Sequence, residues 1–435
     1  MHTTRRTFLQ GTGASFGLAL SGPTILRGPL RETLNVAAIG VGGRGWNNLS
    51  AIAGENLLAI CDVDDVRAKR ARETFPDVPY YRDYRELLAE HGDRLDAVAV
   101  STPDHTHAPI ALAAMRRGLH CYCEKPLTWS IEEARALATV ARERGLVTQM
   151  GNQGSAADGF RRGVEALRAG VLGAVREVHV WTNRPVWPQA IARPTDEPEV
   201  PATLGWDLWL GPAGERPYSP VYLPFAWRGW HDFGTGALGD MACHTVNLPY
   251  RGLELTAPTR AVAETSERFA ESYPAGGRVE LLFPARGERP AVTLTWYEGK
   301  LRPRADLLGE RELPPSGCLI VGERGTMFSP DDYGARQEIQ LADGGTPELP
   351  EPTLPRSPGQ HAEWLAACRG AGPAPMSRFE LAGPFTEAVL VGDLAIRLGG
   401  TIEWDAAALT AGGRPEAGAL IRREYRAGFG IEDGA

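Results

Sequence analysis

The sequence predicts an α/β protein in two parts, a doubly wound parallel sheet followed by an α/β domain whose large sheet is mostly antiparallel. Three observations predict it. Between residues 34 and 150, short apolar runs alternate with helical stretches, the rhythm of parallel strands joined by crossover helices. After Gly151 the apolar runs follow one another with few helices between them, as antiparallel neighbours do. At 435 residues the chain exceeds one ordinary core, so domains are expected over 31–152 and 153–410, between a leader at 1–30 and a tail at 411–435.

In the first part the strands are expected at 36–39, 57–61, 95–100, 119–123 and 146–150, with helices at about 47–54, 63–75, 84–91, 106–117 and 130–144. Runs this short and this apolar suit strands buried on both faces. The second part opens with a helix at about 157–169 and a strand at 175–182, then a long irregular stretch rich in proline and tryptophan. Strands are expected at about 258–265, 277–284, 290–297, 317–322 and 325–328, and helices at about 358–369 and 384–398 close the domain.

Bulk composition narrows the partners. The net charge of −8, with both signs mixed along the chain, leaves no basic stripe and argues against nucleic acid. No apolar run reaches the roughly 18 residues of a membrane span. Thr4-Arg5-Arg6-Thr7-Phe8-Leu9-Gln10, followed by a weakly apolar stretch at 14–20, resembles a twin-arginine export signal, so a periplasmic or otherwise exported location is expected. Ala19-Leu20-Ser21 fits a cleavage site, with retention as an anchor the alternative. The six cysteines are too few for a disulfide framework and are expected as buried thiols. Cys121-Tyr122-Cys123 lacks the second ligand pair of a zinc site, and no metal is expected.

The chemistry begins at Gly40-Val41-Gly42-Gly43-Arg44-Gly45, which follows an apolar run and opens a helix. In a GxGxxG turn the first glycine permits the bend, the second lets backbone approach a pyrophosphate, and the third allows close helix-to-strand packing. The helix N-terminus then offers free N–H groups to the anion. Asp62 ends the second run 22 residues after Gly40, where an acid meets the adenosine ribose hydroxyls. A carboxylate there repels a 2′-phosphate, so NAD is expected over NADP. Thr102 and Pro103 lie at the carboxyl edge of the next run, in reach of the nicotinamide end, while His105 and His107 are expected to have no catalytic part.

Glu124-Lys125-Pro126 ends a further run at the same edge. A lysine held beside a sugar hydroxyl stabilises the alkoxide character that grows as hydride leaves the carbon; the plain alternative is a surface lysine paired with Glu124. Downstream, Asp240 and His244 stand four apart after a glycine-rich helix entry, hence on one helical face. A histidine there can take and return a hydroxyl proton while a carboxylate orients its ring; the alternative is a surface pair.

Taken together, Gly40 to Gly45, Asp62, Thr102-Pro103, Glu124-Lys125-Pro126 and Asp240…His244 resemble the glucose-fructose oxidoreductase, inositol dehydrogenase and rhizopine-catabolism family, Gfo/Idh/MocA. Gln149-Met150-Gly151-Asn152-Gln153, Gly170-Val171-Leu172-Gly173 and Val321-Gly322-Glu323-Arg324-Gly325-Thr326 extend the resemblance over nearly all of the chain after residue 33. It implies a Rossmann domain, a substrate site between the domains, and an open sheet that serves a homo-oligomer, a dimer or tetramer. It also implies His244 as acid-base residue, Asp240 as its partner and Lys125 as the substrate-hydroxyl contact. The cofactor set is then Gly40, Gly42, Gly43, Arg44, Gly45, Asp62, Thr102, Pro103, Glu124 and Lys125.

The chain departs from the simplest members between Trp206 and Asp232, where Trp206, Trp209, Tyr218, Tyr222, Phe225, Trp227 and Trp230 crowd a proline-rich stretch. Flat rings suit pyranose faces, so a glycan-binding wall is expected, with Gln153, Trp227, Arg228, Trp230 and His231 as substrate contacts. The alternative is that these rings pack the loop onto the body. The expected function is an exported NAD-dependent oxidoreductase acting on a sugar, cyclitol or glycoside hydroxyl, with its cofactor tightly bound because free NAD is scarce outside the cytoplasm. The alternative is a glycosidase that oxidises, eliminates, hydrates and re-reduces with no net redox change, as some members of the family do.

Overall fold

The computed structural model describes residues 32–309, 311–345 and 347–432, within one compact unit that runs from Arg31 to Ala435. The expected export signal lies outside the described residues.

The first sheet contains β1 (Asn35–Ile39), β2 (Asn56–Cys61), β3 (Tyr80–Tyr81), β4 (Ala97–Val100), β5 (His120–Cys123) and β6 (Thr148–Met150). Its order is β3-β2-β1-β4-β5-β6 and every pair is parallel. Helices α1 (Arg44–Ile52), α2 (Asp65–Thr74), α3 (Tyr84–His91), α4 (Asp104–Met115) and α5 (Ile131–Glu143) make the crossovers. Local sequence starts them. Asp64 accepts from the Val66 and Arg67 amides to cap α2, and Ser130 and Glu133 form a reciprocal capping box on α5. The strand order reverses between β1 and β4, so the loops leaving those two strands diverge and open a crevice, the usual ligand site of such sheets.

Beyond α6 (Asp158–Arg168), β7 (Val175–Trp181), α7 (Trp206–Leu210), α8 (Gly236–Thr245) and α9 (Asn247–Gly252) come β8 (Arg260–Thr265), β9 (Gly277–Phe283), β10 (Val292–Tyr297), β11 (Gly317–Gly322), β12 (Gly325–Ser329) and β13 (Glu338–Leu341). Then follow α10 (Gln360–Cys368), α11 (Phe379–Leu398), β14 (Gly400–Asp405), β15 (Thr410–Gly412) and α12 (Gly418–Ile421). The second sheet runs β13-β12-β11-β7-β10-β9-β8-β14-β15, antiparallel except between β7 and β10. β9 alternates buried and half-buried positions, the period-2 signature of a strand with one covered face.

Both sheets match the expected fold class, and the differences have local causes. β3, β13, β14 and β15 are short or polar strands that pairing, not apolar content, holds in place. α11 starts at Phe379 rather than at 384, with Pro384 inside its early turns, where the missing N–H forfeits one bond near the helix start. That helix joins the two sheets: it packs on α5 from one side and on α8, β8 and β9 from the other, with Arg135 paired to Glu387 at 2.6 Å. α10 crosses back to the first sheet, where Trp364 is fully buried beside Tyr122, ring centroids 5.7 Å apart. Among the described residues no helix is long and apolar enough to cross a membrane.

Candidate active site

A cavity of about 590 Å³ opens at the β1/β4 crevice and reaches to α8 and the loops of the second sheet. Gly40, Gly42, Gly43, Arg44 and Asp62 line one end. Gly40 (φ +79°) and Gly43 (φ +54°) hold left-handed backbone, and a Cβ on Gly40 would lie 2.6 Å from the Ser101 carbonyl oxygen. Gly45 does not line the cavity; a Cβ there would strike the Gly40 carbonyl, so it serves the close helix-to-strand contact expected of the third glycine. α1 has neither a side-chain cap nor an acidic residue in its first turn, which leaves its N-terminus fit for an anion.

Asp62 is bound into this turn. Its Oδ2 accepts from the Val41 and Gly42 amides at 2.9 and 3.2 Å, and its Oδ1 from the Asp64 amide at 3.1 Å. Burial raises its pKa, opposed by those N–H donors. The glycine cradle, the open helix end and a carboxylate at the cavity wall fit an NAD-type dinucleotide.

Thr102 and Pro103 line the cavity from the loop after β4. Imidazole ties this loop to the next: His107 is buried and lies 2.8 Å from both the Thr102 and Pro126 carbonyls through its two ring nitrogens. His105 is fully buried against the Trp209 carbonyl, and burial lowers its pKa to about 3. Glu124, also buried, accepts from Arg44 Nε at 3.1 Å and Asn48 Nδ2 at 2.9 Å. Arg44 and Glu124 thus brace each other across the crevice floor, and the surface pairing of Lys125 with Glu124 is not what forms.

Lys125 instead reaches α8. Its Nζ donates to Asp240 Oδ1 at 2.7 Å and to the Asp240 carbonyl at 2.9 Å, while Arg228 Nε donates to the same Oδ1 at 2.9 Å. Burial lowers the Lys125 pKa, but the Asp240 charge outweighs it and the net shift is upward. Burial alone would raise Asp240; Lys125 and Arg228 hold it well below the carboxylate range. His244, one turn on, is 6% exposed with Nδ1 buried and unpartnered, and Tyr333 stands edge-on to its ring at 5.0 Å. Burial, then the Lys125 charge, lowers its pKa to about 3, so it is a neutral base at neutral pH. The four-residue spacing does put Asp240 and His244 on one face, but the hydrogen bonds of the carboxylate go to Lys125 and Arg228 rather than to the imidazole.

The substrate side is only partly as expected. Gln153, Trp227 and Arg228 line the cavity, whereas Trp230 and His231 do not. Trp230 is fully buried, and His231 lies against the Ala270 carbonyl and the Tyr273 ring. The aromatic stretch is mostly a small core of its own: Trp206 stacks on Trp209 at 5.0 Å, and Tyr222 packs on Trp230 at 5.0 Å and Phe233 at 5.3 Å. Of its seven rings only Trp209, Phe225 and Trp227 face the cavity. A run of tryptophans near prolines signals burial as well as binding, and here burial takes most of them.

Sequence reading missed Trp187, Arg184, Asp332 and Tyr333, all cavity residues on loops of the second sheet. None lies in a motif or a periodic segment, so only the folded positions of the loops identify them. Asp104 follows Thr102-Pro103 directly and begins α4. It is buried on the cavity wall, accepts from Thr235 Oγ1 at 2.8 Å, and burial raises its pKa to about 7.

Comparison with known proteins agrees with this geometry. Residues 34–152 match the Gfo/Idh/MocA oxidoreductase family's NAD-binding Rossmann fold, and residues 177–261 match the same family's C-terminal alpha/beta domain. UDP-N-acetylglucosamine 3-dehydrogenase of Acidithiobacillus ferrooxidans is 33% identical over 160 residues, 36% of this chain and 48% of that one. A glycosyl hydrolase family 109 protein of a Shewanella species is 34% identical over 125 residues, 26% of this chain and 27% of that one. These matches span about half or less of the curated relatives. The crystal structure of the WlbA dehydrogenase from Bordetella pertussis in complex with NADH and UDP-GlcNAcA shares the fold, with a TM-score of 0.60 at 18% identity over 86% of this chain and 99% of that one. With both domain profiles matched in order and the sequence motifs gathered around one cavity, the chain belongs to the Gfo/Idh/MocA family of oxidoreductases.

Proposed function

We propose that this chain is an exported oxidoreductase that uses tightly bound NAD, in preference to NADP, on a hydroxyl of a sugar, cyclitol or glycoside, and that it works as a homo-oligomer. The observation that carries the reading is the meeting of Lys125, Asp240 and His244 on the cavity that the glycine turn opens. Gly40, Gly42, Gly43, Arg44, Asp62, Thr102 and Pro103 would hold the cofactor. When bound, NAD supplies a hydride acceptor for the carbinol carbon.

The protein's own groups manage the proton. The Lys125 ammonium has three N–H donors, and Asp240 takes two of them, through Oδ1 and the carbonyl, which leaves one for a substrate oxygen. That positive charge stabilises the oxygen as it loses its proton. Neutral His244 accepts the proton and returns it when the reaction runs toward the alcohol. Asp240 keeps the lysine charged and in place against burial and the like charge of Arg228, and Arg228 in turn holds the Asp240 carboxylate.

The second reading, a redox-neutral glycosidase, is supported by the likeness to the glycosyl hydrolase family 109 protein. The test of both is to screen native, cofactor-loaded protein against sugars and glycosides while following reduced-nicotinamide absorbance and released aglycone together. Stoichiometric reduction without cleavage supports the first reading, and aglycone release without net reduction supports the second. Loss of all nucleotide on gel filtration of native protein would count against a tightly held cofactor. Export rests on Arg5-Arg6 and the apolar stretch after them, and fractionation of cells making the wild-type and Arg5→Lys/Arg6→Lys chains tests it.

A further inference from the structure

Among the described residues, large apolar side chains are exposed at few positions, and three of these ring one opening. Val186 is 63% exposed, Phe225 47% and Tyr333 38%, and all three line the cavity. Isolated exposed apolar residues need no explanation, but a cluster rimming a concave site marks a contact surface. These three come from separate loops, so no single packing requirement of one loop gathers them.

Each flank of the rim continues into the reacting group. Phe225 lies edge-on to Trp187 at 5.7 Å, and the Arg228 guanidinium sits 4.6 Å from the Phe225 ring and donates to Asp240. Tyr333 meets His244 directly. The rim is also preformed. Asp331 Oδ1 accepts from the Tyr333 and Ala335 amides at 2.8 and 3.0 Å, fixing the turn that presents the tyrosine. The same wall carries half-buried polar groups, Gln153 and the Arg184–Asp332 pair. Polar groups beside exposed apolar ones match an amphiphilic ligand, with its hydroxyls on the former and a flat apolar group on the latter.

We propose that Val186, Phe225 and Tyr333 form a subsite for a planar apolar aglycone, so that the substrate class is a glycoside bearing such a group rather than a free sugar. This rests on the sugar-oxidoreductase reading above. The experiment titrates native protein with 4-nitrophenyl and methyl glycosides of the same panel of hexoses, by calorimetry, and in parallel follows nicotinamide reduction and cleavage. At least one 4-nitrophenyl glycoside is expected to bind ten-fold or more tightly than its methyl counterpart. Phe225→Ala and Val186→Ser, both on exposed side chains, are each expected to reduce that preference to two-fold or less. Equal affinity for the two series, no binding by any aryl glycoside, or a preference that survives both substitutions would overturn the subsite. Redox turnover of free sugars alongside such a failure leaves the enzymatic reading standing. Aryl-selective binding without reduction or cleavage of any glycoside sinks that reading instead.

Discussion

Lys125 Nζ donates to both the carboxylate and the backbone carbonyl of Asp240, at 2.7 and 2.9 Å, across a gap of 115 residues in the sequence. This double contact fastens the loop after β5, in the first sheet, to helix α8. Both side chains are largely buried, so neither charge has water to fall back on.

Asp240→Asn removes the negative charge and leaves Lys125 and Arg228 facing each other. Breaking a buried pair this way costs about 3–5 kcal/mol. The Asp240 pKa is depressed below its ordinary 3.8, so its stabilisation is complete above that value and is lost as pH falls through the folded-state pKa. The melting-temperature gap between wild type and variant is therefore expected to be large at neutral pH and to narrow below about pH 3.8. A gap that stays constant down to strong acid would contradict the pairing.

Buried histidines and buried acids act on pH stability with opposite signs. Burial first lowers His105, His231 and His244 to about 3, so from 6.5 downward the unfolded chain takes up protons that the folded one refuses, and stability drops toward acid. Burial first raises Asp104 and Asp393 to about 7 and Glu298 to about 8, so their contribution is full at low pH and is lost as pH rises to those values. Each group changes stability by about 1.4 kcal/mol per pH unit inside its window. The two sets offset each other between roughly pH 4.5 and 6.5. In a melting series, Asp393→Asn is expected to flatten the decline from pH 6.5 to 7, and His231→Gln to flatten the decline as pH falls from about 4 to 3.

Asp62→Ala removes the acceptor of the Val41 and Gly42 amides as well as the carboxylate at the cavity wall. NAD binding, followed by calorimetry on nucleotide-free protein, is expected to weaken at least ten-fold, about 1.4 kcal/mol. Affinity for NADP is expected to change less or to rise, because the repulsion of a 2′-phosphate goes with the carboxylate. An equal loss for both nucleotides would argue that Asp62 supports only the turn.

Trp230→Ala empties a fully buried site in the aromatic cluster. A loss of about 3–5 kcal/mol is expected by denaturant titration, with ligand affinity unchanged in the part that stays folded. Weaker glycoside binding without a stability loss would restore this ring to the binding wall.

The parallel sheet, the glycine turn and Asp62 were legible because each is a local matter. Apolar runs set strands, positive φ demands glycine, and a carboxylate ending β2 must lie at the ligand edge. The large antiparallel sheet was legible down to strands whose burial alternates, as in β9, while β13 to β15 were not, since their pairing partners hold them rather than their own apolar content. By itself the sequence determined the fold class and the glycine turn, and it singled out Lys125, Asp240 and His244, which the fold brings to one cavity. Only the tertiary structure decided that Asp240 serves Lys125 and Arg228 and leaves His244 Nδ1 unpartnered, because helical spacing brings two side chains to one face but a third partner can outbid one of them. It also decided which aromatic rings are core and which are mouth. Composition is the same for both, and burial depends on where three separate loops come to rest.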